Sequence, residues 1–319
     1  MRGTAASRRD VFAGVTDLSE EGAAFEVRGP SASMPSVEAW APAYIPYEPR
    51  GESRRLRDEL RRRIGGLRAR DGEILHCAFS GWKPDNADIE NVLLYNVHDS
   101  GGCFRAAAGE GLRFELVHAD PPPTPSGDRS GSHYSYRLVP ADHGFAGWRL
   151  GAEFASWRSV DLGQLAGPKK LEDVGWALRH SDVAISAVER ASNMPFSVSL
   201  TLHPPVGHTV NPASLLKGLL DGVVCAFQVH WDHSTVDAMA SRLAKHIDAP
   251  GPDIAAQLVD ERRAVLGGLP RLVHARGKGV QWRPDDHLLV AGSLLLKPPL
   301  GEGWKLSGAI HEVRSTSGE

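Results

Sequence analysis

Three stretches of this chain place carboxylates where they could share a divalent cation. "ADIENVLL" carries Asp88, Glu90 and Asn91 close together. The run 210–237, "VNPASLLKGLLDGVVCAFQVHWDHSTVD", sets Lys217 and Asp221 four apart, on neighbouring turns of one helix face, with Asp232 just beyond the helix. "RPDDHLLVAG" sets Asp285 and Asp286 ahead of a strand-like run. Phosphodiester cleavage needs clustered carboxylates to hold one or two Mg²⁺, and a cation to meet the phosphate. His230 and His233 flank Asp232 and offer a corner for a transition metal, without a visible third ligand. Each group also has a purely structural reading. Asn211-Pro212 is a good helix start, Asp85 and Asp88 suit a helix N-terminus, and Lys217 with Asp221 can be a surface pair. Asp285 and Asp286 fit a turn equally well.

The elements that must position these groups are visible as hydrophobic periodicity. "FSVSLTLH" (196–203) alternates strictly, which predicts a strand with Val198, Leu200 and Leu202 on one face. The helix predicted over 212–228 carries Leu215, Leu219, Val223 and Phe227 four apart beside Leu216, Leu220 and Val224, a stripe broad enough to demand burial. "EILHCAFSGW" (73–82) and "LRFELVHA" (112–119) read as strands, "NADIENVLLYNV" (86–97) as a helix, and "HYSYRLV" (133–139) as the hairpin partner of 112–119. Further helices are expected over 171–185, "TVDAMASRLAKHI" and "DIAAQLVDERRAVLGGL", and closing strands in "DHLLVAGSLLL" and "WKLSGAIHEV". A longer echo links "ILHCAFSGWKPDNADIENVLLYNV" to "VSLTLHPPVGHTVNPASLLKGLLDGV": strand, polar loop with proline, then helix. It sets Asp88 on Asn211, Glu90 on Ala213 and Asn91 on Ser214.

At these residues the chain resembles the RusA-type Holliday junction resolvases. Their pattern runs strand, loop, Asp-x-Asp-Asn, a lysine three residues on, Asp-Ala-Leu, then an Asp-Asp pair before a closing strand. The resemblance covers 196–237 and, more loosely, 73–97. It implies that Lys217 matches the family lysine, Asp221 the helix aspartate and Asp232 the second member of the pair. The chain departs from the pattern at Asn211, Ala213, Ser214 and Trp231. The first unit departs the other way: it keeps Asp88, Glu90 and Asn91 but has Leu94 where the lysine belongs. Together the two units hold one full set of parts, which implies a composite site, with Asp88, Glu90 and Asp232 as metal ligands and Lys217 as the catalytic cation, and Mg²⁺-dependent cleavage of branched or duplex nucleic acid. The alternative is a non-catalytic binding or scaffold protein that keeps a nuclease-like fold, with protein partners or a homo-oligomer as its setting.

Composition sets the outer bounds. The 319 residues are 41% hydrophobic and 24% charged, as in an ordinary globular protein, and no apolar run approaches the roughly 18 residues that span a bilayer. Cys77, Cys103 and Cys225 are far apart in apolar stretches and read as buried thiols. With no evident signal peptide, a cytoplasmic protein without membrane association is expected. A net charge of −3 gives no general field for nucleic acid, but residues 54–70 hold eight Arg against two acids. Within them Arg61, Arg62 and Arg63 are the expected phosphate contacts, a solvated arginine face being the plainer reading. The predicted class is α+β: a mixed sheet with helices mainly on one face, divided into a largely flexible segment 1–45, a first half 46–190 and a second half 191–319. One continuous domain is the alternative to two halves.

Overall fold

The computed structural model describes residues 25–31, 34–84, 87–98, 102–165, 170–187 and 193–316. Fourteen strands are described in them: β1 (Glu26–Arg28), β2 (Ser36–Ala41), β3 (Glu73–Gly81), β4 (Gly111–Val117), β5 (Ser132–Pro140), β6 (Trp148–Asp161), β7 (Val183–Ile185), β8 (Phe196–His203), β9 (Val229–His230), β10 (Gly268–Leu269), β11 (Val273–Arg276), β12 (Gly279–Trp282), β13 (Leu289–Leu296) and β14 (Lys305–Ser315). The helices are α1 (Gly51–Ile64), α2 (Lys170–Arg179), α3 (Pro212–Ala226), α4 (Val236–Leu243) and α5 (Gly251–Leu258). A π-helical turn covers Asn91–Tyr95.

Ten strands form one mixed sheet, and the fold is α+β. Alternation along the strands decides its faces. Leu75, Cys77 and Phe79 of β3, and Val198, Leu200 and Leu202 of β8, point to the face where α1, the π-turn, α2 and α3 bury their apolar residues in one continuous core. The other face is largely polar, with only a small cluster around Trp148, Val290 and Val313. α3 behaves as its stripe predicts, with Leu215, Leu216, Leu219, Leu220, Val223 and Val224 all buried. Each such side chain contributes about 1.5–3 kcal/mol relative to exposure. α2 lies against α3 because Gly222 has no side chain: a Cβ there would meet Val174 at 2.7 Å and the Leu171 carbonyl at 2.9 Å.

The order of the sheet is β1-β2-β5-β3-β4-β13-β8-β14-β6-β7. From the centre outward the two halves repeat one scheme. β4 is parallel to β3, and β3–β5–β2–β1 continue antiparallel. β13 is parallel to β8, and β8–β14–β6–β7 continue antiparallel. The halves meet where β4 and β13 run antiparallel. A two-fold axis through the Arg113–Ser293 pair, at the middle of that ladder, exchanges them. The registers agree: His76 pairs with Arg113 and Arg137, and Ser199 pairs with Ser293 and Ala309. Chain order also agrees, with β2, α1, β3, π-turn, β4, β5 matched by β6, α2, β8, α3, β13, β14. Counting twelve residues on from the matched His76 and Ser199 sets Asp88 against Asn211, the same alignment that the sequence echo sets.

Several elements differ from expectation. Residues 133–139 form a strand, but β5 pairs with β3 and β2 rather than in a hairpin with β4. β3 lies between the two, and residues 118–131 cross over it. The helix expected over 86–97 is a short π-turn, and that expected over 171–185 stops at Arg179 and gives way to β7. Residues 25–45, placed at sequence level in a flexible segment, contribute β1 and β2 and the buried Val37, Ala39 and Ile45. Between α3 and β13 the chain makes a long excursion through β9, α4, α5, β10, β11 and β12, with a satellite core around Met239, Leu243, Ile254 and Leu258. The three thiols are buried, with no disulfide. No described helix is long and apolar enough to cross a membrane.

Candidate metal centre

The π-turn and α3 lie against each other across the two-fold, and the ionisable groups converge there. The π-turn arises where the chain must satisfy burial and anchoring at once. Val92, Leu93 and Leu94 are buried, while Tyr136 donates to the Leu93 carbonyl at 2.8 Å and Asn96 donates to the Ile45 carbonyl at 2.9 Å. The Asn96 amide reaches back five residues to the Asn91 carbonyl at 2.8 Å, the widened turn that often accompanies functional sites. Just before this turn stand Asp88 and Glu90. The Asn91 amide orients Asp88 with a 2.7 Å hydrogen bond to its carboxylate.

The third acid is Asp286, at the approach to β13. One ligand oxygen from each of Asp88, Glu90 and Asp286 lies within 4.8 Å of the others, the one such group among the described residues. Gln228, buried just past α3, holds the segment that delivers Asp286. Its amide donates to the Asp285 carbonyl at 2.7 Å and accepts from the Asp285 amide at 3.1 Å. Asp286 in turn accepts the Leu289 amide at 2.8 Å on its backbone carbonyl, which fixes the turn into β13.

Lys217 extends from α3 into these acids. Its ammonium lies 3.2 Å from Glu90, 3.4 Å from Asp221 and 4.0 Å from Asp88. With Asp286 also acting on it, four carboxyls face one ammonium, inside a largely desolvated pocket. Burial raises the Glu90 carboxyl to about 7, with Lys217 opposing and Asp88 and Asp221 adding to the rise. Burial, with Asp88 and Glu90 alongside, raises Asp286 to about 9. Burial also raises Asp221, against the pull of Lys217. For Lys217 burial works against the charge, but Glu90, Asp221, Asp88 and Asp286 outweigh it and hold the ammonium above its ordinary range. Like-charged carboxyls in low dielectric resist common ionisation, and a bound cation relieves that resistance. Glu90 is 2% exposed, and its Oε2 is buried with no hydrogen-bond partner among the described residues.

The expected ligands Asp88 and Glu90 thus come together with Lys217, but Asp232 does not join them. Its carboxylate turns back on its own loop, accepting from the Ser234 amide at 3.2 Å and from the Ser234 hydroxyl. Asp286 meets Asp88 and Glu90 instead, at the approach to β13, which the excursion after α3 separates from that helix. The His230–His233 corner is absent as well: His230 is buried and bonds Thr235 at 2.9 Å. The arginines of α1 also fall differently. Arg62 and Arg63 turn to Glu59 at 2.6 and 2.7 Å, and Arg61 donates to the Val97 and His98 carbonyls. The role of Gln228 escaped sequence reading; its signal was one amide inside the apolar run "VVCAFQVH". Asp85 lies outside the described residues. Comparisons with family models, with curated proteins and with solved structures each returned no match, so the residues and their geometry stand by themselves.

Proposed function

We propose that the chain is a divalent-cation-dependent phosphodiesterase acting on nucleic acid, with a composite site of RusA-like parts. The observation that carries this is the convergence of Asp88, Glu90 and Asp286 around a buried, unsatisfied Glu90 oxygen. All three donors are hard oxygens, the set that suits Mg²⁺ or Mn²⁺ rather than a softer ion. When bound, such an ion supplies Lewis-acid polarisation of a phosphoryl oxygen and neutralises developing charge. Asp88 is held for ligation by Asn91, Glu90 by the π-turn, and Asp286 by the Gln228 clamp. Lys217, with a third of its side chain open, can turn its ammonium toward a phosphate oxygen while Asp221 and Glu90 hold that ammonium in place. The surrounding apolar core excludes water from one side and strengthens each of these interactions.

One feature supports a second reading. The Lys217 ammonium already lies in hydrogen-bonding reach of Glu90, and a resident ammonium can replace a metal in a non-catalytic nucleic-acid-binding scaffold. Mn²⁺ titration separates the two. The phosphodiesterase binds Mn²⁺ in the wild type and loses it in Glu90→Gln, and it cleaves a fluorescent branched duplex with Mg²⁺. Absence of Mn²⁺ binding at millimolar concentration, with no cleavage, leaves the scaffold.

A further inference from the structure

An open cleft beside the π-turn is of different character from the metal centre. About 580 Å³ in volume, it lies between one face of α1, from Arg54 to Arg61, and the end of the π-turn. Arg50, Arg54, Arg57 and Arg61 line it, with Glu48 as the one acid in the lining. Arg61 is spent on the Val97 and His98 carbonyls and Arg57 is held by Asp58 at 2.9 Å, so both are fixed in position. Arg50 and Arg54 are exposed, with Arg54 3.9 Å from Asp58. Two tyrosines complete the lining. Tyr47 is 68% exposed and Tyr95 47%, and their rings stack 5.9 Å apart at an angle of 6°. Large aromatic rings are enriched in cores and interfaces, and a stacked pair left in solvent beside several guanidinium groups is a ready platform for a flat, anionic polymer.

The geometry points to this cleft as a single-stranded nucleic-acid subsite, with a base stacked on Tyr47 and Tyr95 and its phosphates met by Arg50, Arg54 and Arg57. The assignment takes its substrate class from the metal-centre reading. Tyr95 ends the π-turn that Glu90 precedes, so the cleft lies beside the element that carries two of the acids. The charges of Lys217 and Asp221 are close enough to act on the Tyr95 phenol. A strand laid across the tyrosines therefore leads toward Asp88, Glu90 and Asp286. Single strands suit such a surface because their bases are free to stack and their phosphates need only a short cationic track. Since the whole chain carries a net charge of −3, the attraction is local and strongly salt-dependent.

Fluorescence anisotropy of a short labelled oligothymidylate tests this on the full chain, with Ca²⁺ in place of Mg²⁺ to suppress cleavage. Tyr47→Ala and Tyr95→Ala should each weaken binding roughly five- to a hundredfold, the span of one lost stacking contact. Arg54→Ala should lower the slope of log affinity against log salt by about 0.7, one phosphate's share on a single strand. Both tyrosines are on the surface, and circular dichroism confirms that the variants fold. Unchanged affinity in both tyrosine variants overturns the subsite, as does a blunt duplex that binds as tightly as the single strand and ignores both substitutions. If the tyrosine dependence holds but Mg²⁺ yields no cleavage, the subsite stands and the phosphodiesterase falls. If cleavage is seen and both tyrosine variants bind and cut like wild type, only the subsite falls.

Discussion

The two halves of the sheet share strand order, pairing directions and register, yet they hold different chemistry at matched positions. Where the first has Asp88, Glu90 and Asn91, the second has Asn211, Ala213 and Ser214; where the first has Leu94, the second has Lys217. Local form differs too. The first carries its acids into a π-turn, and the second carries its lysine on a 15-residue α-helix. Because the π-turn and α3 face each other across the axis, Asp88 and Glu90 from one half and Lys217 from the other reach the same point. A symmetric pair would build this site twice. Here the related position has neither the carboxylates nor the ammonium, so one scaffold repeated in the chain supports one site. The same division runs across the opposite face. The first half buries His76 against Glu115 at 2.6 Å, with Arg137 donating to His76 at 3.2 Å, where the second half has Ser199, Leu295 and Ala309.

The sharpest way to break this comparison is to substitute matched positions. Glu90→Gln removes the charge of one of the three converging ligands and should lower Mg²⁺-dependent cleavage on the order of 10³-fold, the weight of several kcal/mol in a transition state. Ala213→Ser at the matched position should leave the rate within about twofold. Equal losses at both positions, in a single-turnover assay, would mean that the second half contributes a site of its own. On the opposite face the comparison is read in stability. Glu115 accepts the Ala146 and Gly147 amides at 2.8 Å besides His76, so Glu115→Ala orphans three donors inside the protein. It should cost about 3–5 kcal/mol in urea denaturation. Leu295→Ala, at the partly buried matched position, should cost about 1–2 kcal/mol.

Much of this arrangement was legible in the sequence, for reasons that also explain what was not. The β8 strand and α3 followed from periodicity because each buries one face, and burial is what periodicity records. Asp88 and Glu90 stood out because short-range spacing survives folding. Asp286 was visible as an acid ahead of a strand, but its meeting with Asp88 depends on β13 returning parallel to β8 after the long excursion, and no local signal encodes that length. Spacing therefore pointed to Asp232, the nearest acid after α3. The arginine run was legible as charge, whereas its use was not. Arg62 and Arg63 lie one turn from Glu59 and close on it, while Arg50, Arg54 and Arg57 keep the open cleft.

The next test concerns how Asp286 is held. Gln228→Ala removes both hydrogen bonds to the Asp285 backbone without touching a ligand. By analogy with other outer partners of metal ligands, it should weaken Mn²⁺ binding about 10- to 100-fold. It should leave the Glu115-centred stability of the opposite face unchanged. A variant that keeps wild-type Mn²⁺ affinity would show that β13 alone delivers Asp286, and that the halves cooperate through the sheet rather than through the end of α3.

The smallest expected effect is the dependence of metal-free stability on pH. Asp286 and Glu90 hold protons in the folded chain up to about 9 and about 7, whereas unfolded carboxyls lose them near about 4. Between these limits the folded state binds more protons than the unfolded one, so stability contributed by the site falls as pH rises. His76 acts in the opposite sense: burial lowers its pKa, and stability is lost as the pH falls and the buried ring must charge. The two halves of the comparison are separated by variant. Asp286→Asn, which has no proton to release, should flatten the decline in Tm between pH 6 and 8 by a few °C, at about 2–4 °C for each kcal/mol. It should leave the acid limb untouched. Mn²⁺, standing in for the lost protons, should raise the wild-type Tm more at pH 8 than at pH 6 and do neither in Asp286→Asn. Parallel pH profiles in wild type and Asp286→Asn would show that the carboxyls at the two-fold do not share their charge, and the cation they are proposed to hold would lose its physical reason.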